Sequence, residues 1–209
     1  MIFNNSLKNI SKIGIGDIIA NGISAIFWFY LASSMLPAEY GHIHYLMSFA
    51  AIAATLSTIG AQNVITVYIS KNKNVTSTLF FVSLTFSIIS CLILFLIFNK
   101  FEIGLLAIGM MIFTHGIASN LGNRNYSKYA IYSILQKISM VFFSISFYYF
   151  LGIDWILLGI GLSYFIHTKL FINYLKKFRN ELKELKTNKK FILENYFLML
   201  TNMVTTQMD

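Results

Sequence analysis

From residue 13 onward the chain repeats one pattern: an apolar run of about twenty residues, then a short polar connector. The runs fall at residues 13–36, 43–69, 78–98, 103–121, 130–151 and 155–174, with a weaker seventh beginning near 191. Roughly 20 apolar residues in helical form cross a hydrocarbon core about 30 Å thick. Within hydrocarbon the backbone must satisfy its own polar groups, so such runs are helices or strands of a closed barrel. A barrel strand alternates apolar and polar residues, and these runs do not. The pattern predicts an all-α integral membrane protein: a bundle of about six transmembrane helices plus the start of a seventh. Composition agrees, since only 11% of the 209 residues are charged, against about 25% in soluble domains.

Lysine and arginine set the orientation. Lys8, Lys12, Lys71, Lys73, Arg124 and Lys128 lie on alternate connectors, together with the seven basic residues between 176 and 190. The opposite connectors hold only Lys100, which makes 13 against 1, with Lys137 and Lys169 inside runs. The positive-inside rule places the N-terminus and the basic segment in the cytoplasm. The chain is therefore expected in the cell (cytoplasmic) membrane, as a multi-pass protein. The net charge of +8 follows this topology and is not a nucleic-acid footprint. A cleaved signal peptide fits poorly, because the first run is long and broken by Asp17. Asn4, Asn74 and Asn125 each begin an Asn-x-Ser/Thr sequon, and all three fall on the cytoplasmic side.

The expected domains are a six-helix bundle over 1–175, a basic amphipathic connector over 176–190 and a seventh helix over 191–209. In the connector, Leu175, Phe178, Leu182 and Leu185 repeat at helical spacing among charges. Lys176, Lys177, Arg179, Lys183, Lys186, Lys189 and Lys190 are expected at the membrane surface, where anionic lipid attracts each by about 1 kcal/mol. The end at Asp209 reads as a fragment or truncated product.

Polar side chains inside apolar runs mark functional sites by default. Here they are Asp17, Asn21, Gln62, Asn63, His115, Gln136, Lys137 and His167. Asn120 and Lys169 lie nearer the boundary and can snorkel. On the deduced topology all ten fall in the cytoplasmic halves of their helices. The expectation is a polar vestibule open to the cytoplasm and closed outward by apolar packing. Lys137 lies seven or eight residues deep, and an Asp17–Lys137 pair would compensate its charge. Small-residue stripes at Gly16, Ala20 and Ser24, at Gly104, Gly109 and Gly116, and at Gly159 and Gly161 suit close helix packing. His42 and His44 alone do not make a zinc site. The single Cys91 excludes an intrachain disulfide. No catalytic set, metal site or cofactor motif is visible.

The stretch Leu36-Pro37-Ala38-Glu39-Tyr40-Gly41, with Gly16-Asp17, Gly60-Ala61-Gln62-Asn63 and Tyr68-Ile69-Ser70-Lys71, resembles the amino-terminal half of oligosaccharide flippases of the polysaccharide biosynthesis type. O-antigen transporters belong to that family, and multidrug and toxin extrusion transporters to the same superfamily. The family's first outer loop has the form Leu-Gly-Pro-x-x-Tyr-Gly; here Leu36 stands in place of the glycine. Gln207-Met208-Asp209 is similar to the family's Gln-x-Asp in the seventh span. The resemblance implies two facing six-helix bundles that rock for alternating access, this chain supplying the first. It implies a glycan on a polyprenyl-phosphate carrier as substrate, a coupling proton or sodium ion, and a carboxy-terminal bundle as partner. With no catalytic set visible, no enzymatic activity is expected. A drug or cation exporter of the same fold, or a non-transporting membrane scaffold subunit, stands as the alternative.

Overall fold

The computed structural model describes residues 2–58, 61–71, 76–176 and 189–208. The order is α1 (Ile2–Ser34), α2 (Pro37–Thr58), α3 (Ala61–Ser70), α4 (Thr76–Phe98), α5 (Phe101–Gly122) and α6 (Tyr126–Leu151). A 3-10 turn at Ile153–Trp155 leads into α7 (Ile156–Ser163), a second at Tyr164–His167 leads into α8 (Thr168–Lys176), and α9 is Lys189–Met208. No strand occurs among the described residues. Among them, six segments are long and apolar enough to cross a membrane: Ile10–Ser34, Pro37–Ser70, Thr76–Phe98, Phe101–Gly122, Tyr126–Leu151 and Ile153–Lys176. They coincide with the six runs. The expected seventh span is helical as α9 but is not one of these six. Most of the basic connector, Gly60 and Asp209 lie outside the described residues.

The turns follow from local chemistry. Pro37 opens α2, where its missing N–H leaves no bond unmade. Three residues into the turn, the Glu39 carboxylate accepts the Leu36 backbone N–H at 2.9 Å, as in a capping box. Asn99 turns the chain from α4 to α5 with φ 52°, a conformation asparagine tolerates better than most residues. Gly152 ends α6 at φ 96°, where a side chain would be strained.

α5 is the central helix, packed against α2, α3, α4 and α7. Its glycines permit this. A methyl at Gly122 would run into Ile69 and the Thr66 carbonyl of α3, and one at Gly116 into the His167 ring. Gly159 of α7 lies against the backbone of Ser144 in α6, and Gly16 of α1 against Ala130 of α6. α1 runs along α6 and meets α2 sparsely, with Trp28 against Tyr40 and His44 of α2. One core cluster joins Phe27, Leu31, Leu46, Leu106 and Ile160; the other joins Ile65, Tyr68, Phe80, Met111 and Phe171.

The molecule has two unlike ends. One carries Lys12, Lys71, Arg124, Lys128 and Lys176, with Lys12 Nζ donating to Ser127 Oγ at 3.1 Å. The other carries Glu39, Glu102 and Asp154, with Lys100 paired to Asp154 at 2.8 Å. Between them the outward surface is apolar: Ile26 is 72% exposed and Phe142 65%. Exposed apolar area this continuous marks a surface that something apolar covers.

Candidate functional site

The eight residues expected in one vestibule are divided by the fold. Asn21 on α1 and Gln62 and Asn63 on α3 are exposed. Gln136 is buried and donates from Nε2 to Ser163 Oγ at 2.9 Å, and that hydroxyl donates to the Ile160 carbonyl at 2.6 Å. Gln136 therefore ties α6 to α7. His115 is fully buried, its ring 4.2 Å from that of Phe80 and neither nitrogen hydrogen-bonded. His167 is buried beside Tyr132 at 4.4 Å and Phe113 at 5.6 Å, with Nε2 unbonded. Asn120 is buried with its amide nitrogen unbonded, while Lys169 is exposed.

Asp17 and Lys137, both half-buried, do not pair as expected. The Asp17 carboxylate instead accepts the Tyr129 hydroxyl at 3.0 Å. Tyr129 precedes Lys137 on α6 by eight residues, about 12 Å of helix, so a carboxylate held at Tyr129 is out of the lysine's reach. Among the surface lysines, Lys176, Lys189 and Lys190 are exposed, and Lys190 lies 4.0 Å from Glu194. Lys177, Arg179, Lys183 and Lys186 lie outside the described residues.

A cavity of about 240 Å³ opens elsewhere, between α2, α5, the second 3-10 turn and α9. Its polar wall is Thr55 and Thr58 of α2, Thr114 of α5 and Tyr164; Phe113, Met110 and Met199 supply apolar faces, and Ala51 and Ala54 leave the room. Thr55 lies in the middle of Pro37–Ser70, Thr114 just past the middle of Phe101–Gly122, and Tyr164 in the middle of Ile153–Lys176. The cavity is thus at mid-depth. It adjoins the point where the sixth segment leaves α-helical geometry, since Tyr164 begins the 3-10 turn that separates α7 from α8. A 3-10 stretch inside a longer helix often marks a functional hinge.

Among the described residues, no charged side chain lines this cavity. The Thr58 hydroxyl donates to the Thr55 carbonyl at 2.9 Å and approaches Met199 Sδ at 3.8 Å; the Thr114 hydroxyl donates to the Met110 carbonyl at 2.9 Å. With their protons committed, both oxygens keep only acceptor capacity. The hydroxyls of Thr55 and Tyr164 have no hydrogen-bond partner among the described residues. The Phe113 and Tyr164 rings meet edge to face at 5.5 Å and 72°, and Phe113 also touches His167. A second, apolar groove of about 420 Å³ runs between Ile23 of α1 and Ile138, Val141, Phe142 and Ile145 of α6. None of the eight expected residues lines either cavity.

Sequence reasoning passed over the threonines. A hydroxyl in an apolar helix usually returns its proton to the preceding turn's carbonyl, as Thr58 and Thr114 do, so its presence alone does not signal a site. The spacing of Thr55 and Thr58 on one face was the only trace. Among the described residues no group of three His, Cys, Asp or Glu side chains is placed to hold a metal ion. Comparison with models of protein families, with curated proteins and with solved structures finds no match for the chain.

Proposed function

We propose that this chain is a multi-pass membrane transporter bundle that moves a lipid-linked oligosaccharide across the cytoplasmic membrane for cell-surface polysaccharide biosynthesis. Its basic end faces the cytoplasm, and a second bundle faces it across the translocation path. The observation that carries the reading is the mid-depth cavity beside the interrupted sixth segment. Transporters place substrate near the bilayer midplane, where broken helices meet. A plain anchor or scaffold has no need of a polar hollow there, and each hydroxyl placed at that depth works against insertion. The resemblance of residues 36–41 and their neighbours to oligosaccharide flippases names the substrate class. The lack of a carboxylate among the described lining residues speaks against the organic cation of a drug exporter. Lys137, half-buried and not paired to Asp17, is the cation that this reading assigns to a carrier phosphate.

The test is genetic. The gene, expressed through its stop codon in a host that lacks its oligosaccharide flippase, restores surface polysaccharide. A membrane-inserted product that leaves surface polysaccharide absent contradicts the proposal.

A further inference from the structure

We propose that the mid-depth cavity is a binding site for an uncharged pyranose ring, held by the Thr55, Thr58, Thr114 and Tyr164 hydroxyls against the Phe113 ring. The inference rests on the transport reading and assigns its sugar end to a place that the sequence did not indicate. Three features select this ligand chemistry. The described residues of the wall carry no charge, so a phosphate, carboxylate or ammonium entering it would lose its hydration without a counter-ion from them. Its oxygens are divided in role. Thr58 and Thr114 are restricted to accepting, while the Thr55 and Tyr164 hydroxyls are free to donate or accept. A sugar hydroxyl is both donor and acceptor and matches such a mixed wall; an amine or an ether matches half of it. Finally, the Phe113–Tyr164 corner presents aromatic surface at the same depth as the hydroxyls, and a pyranose has an apolar C–H face to lay there, in the manner of sites that join apolar walls to a few placed polar groups. The volume of about 240 Å³ suits one ring rather than an extended chain.

The site also links to the fold's weak point. Tyr164 opens the 3-10 turn, and Phe113 touches both Tyr164 and the buried His167. Occupancy of the cavity therefore bears directly on the segment where α7 gives way to α8.

The test uses the full-length protein in lipid nanodiscs with three probes: citronellyl-diphosphate-linked N-acetylglucosamine, citronellyl diphosphate without sugar, and free N-acetylglucosamine. The lipid-linked sugar binds more tightly than the sugarless lipid. Tyr164→Phe and Thr114→Val, which remove one hydroxyl each and keep shape, remove that difference by roughly three- to tenfold apiece, the range of one hydrogen bond. Both leave the sugarless lipid's affinity unchanged. Binding of free sugar that is lost in the same variants marks a site for the ring alone; its absence marks a ring held through its carrier. Equal affinity of the two lipids, or variants that weaken both alike, overturns the site while leaving the transport reading standing. Failure of both lipids to bind overturns the transport reading as well.

Discussion

At Gly116 the sixth segment comes so close to α5 that a methyl would overlap the His167 ring, including its Cβ. The ring cannot swing clear, because Tyr132 and Phe113 flank it. Gly116→Ala is expected to cost about 1–3 kcal/mol, as overpacking does. Gly14→Ala, inside α1 with open space around it, is expected to leave the unfolding midpoint in SDS unchanged or slightly raised. At Asp17 the informative change is Tyr129→Phe, which removes a hydrogen bond this carboxylate accepts. Interhelical hydrogen bonds in membrane bundles average about 0.6 kcal/mol and reach about 1.7; a loss in that range, absent in an Asp17→Ala background that has no acceptor, shows that the pair is coupled. Counting along a run gave the depth of Asp17 and Lys137 from sequence. It did not give their azimuth, which depends on which helices neighbour α1. Tyr129 was invisible for that reason, and so was the burial of Gln136 against Ser163.

The elements were more legible than their contacts. Run boundaries depend on composition alone, and all six runs end within two residues of a helix end; the largest mismatch is where the first run begins. That mismatch has a simple cause: α1 begins at Ile2, since a helix can continue into water past its apolar stretch. The stretch Leu36–Gly41 carried the family resemblance, and the fold gives it a local reason as well. Pro37 and Glu39 start α2 by occupying its first turn and accepting the Leu36 N–H. Glu39→Ala is expected to lower stability by about 0.5–2 kcal/mol, the range of a lost helix cap; Glu39→Gln, which keeps an acceptor, restores most of it. The interruption at Tyr164–His167 had no sequence signal. No proline or glycine lies within it, and its cause is tertiary: Gly109 and Gly116 of α5 accept Tyr164 and His167 at close range.

For the molecule as a whole, the asymmetry of charge and the apolar girdle between the ends decide how it sits. One end is basic, the other has three acids against Lys100, and the helices between them expose Ile, Leu and Phe outward. This girdle is expected to be embedded in the membrane with the basic end in the cytoplasm. Single cysteines in a Cys91→Ser background measure it directly. Ala38→Cys and Asp154→Cys sit at the acidic end, Lys71→Cys and Lys128→Cys at the basic end, and all four native residues are exposed. In intact cells a membrane-impermeant maleimide is expected to label the first two and to reach the others only after permeabilisation. Labelling of Lys71→Cys or Lys128→Cys in intact cells, or labelling of both ends from one side, would contradict the account.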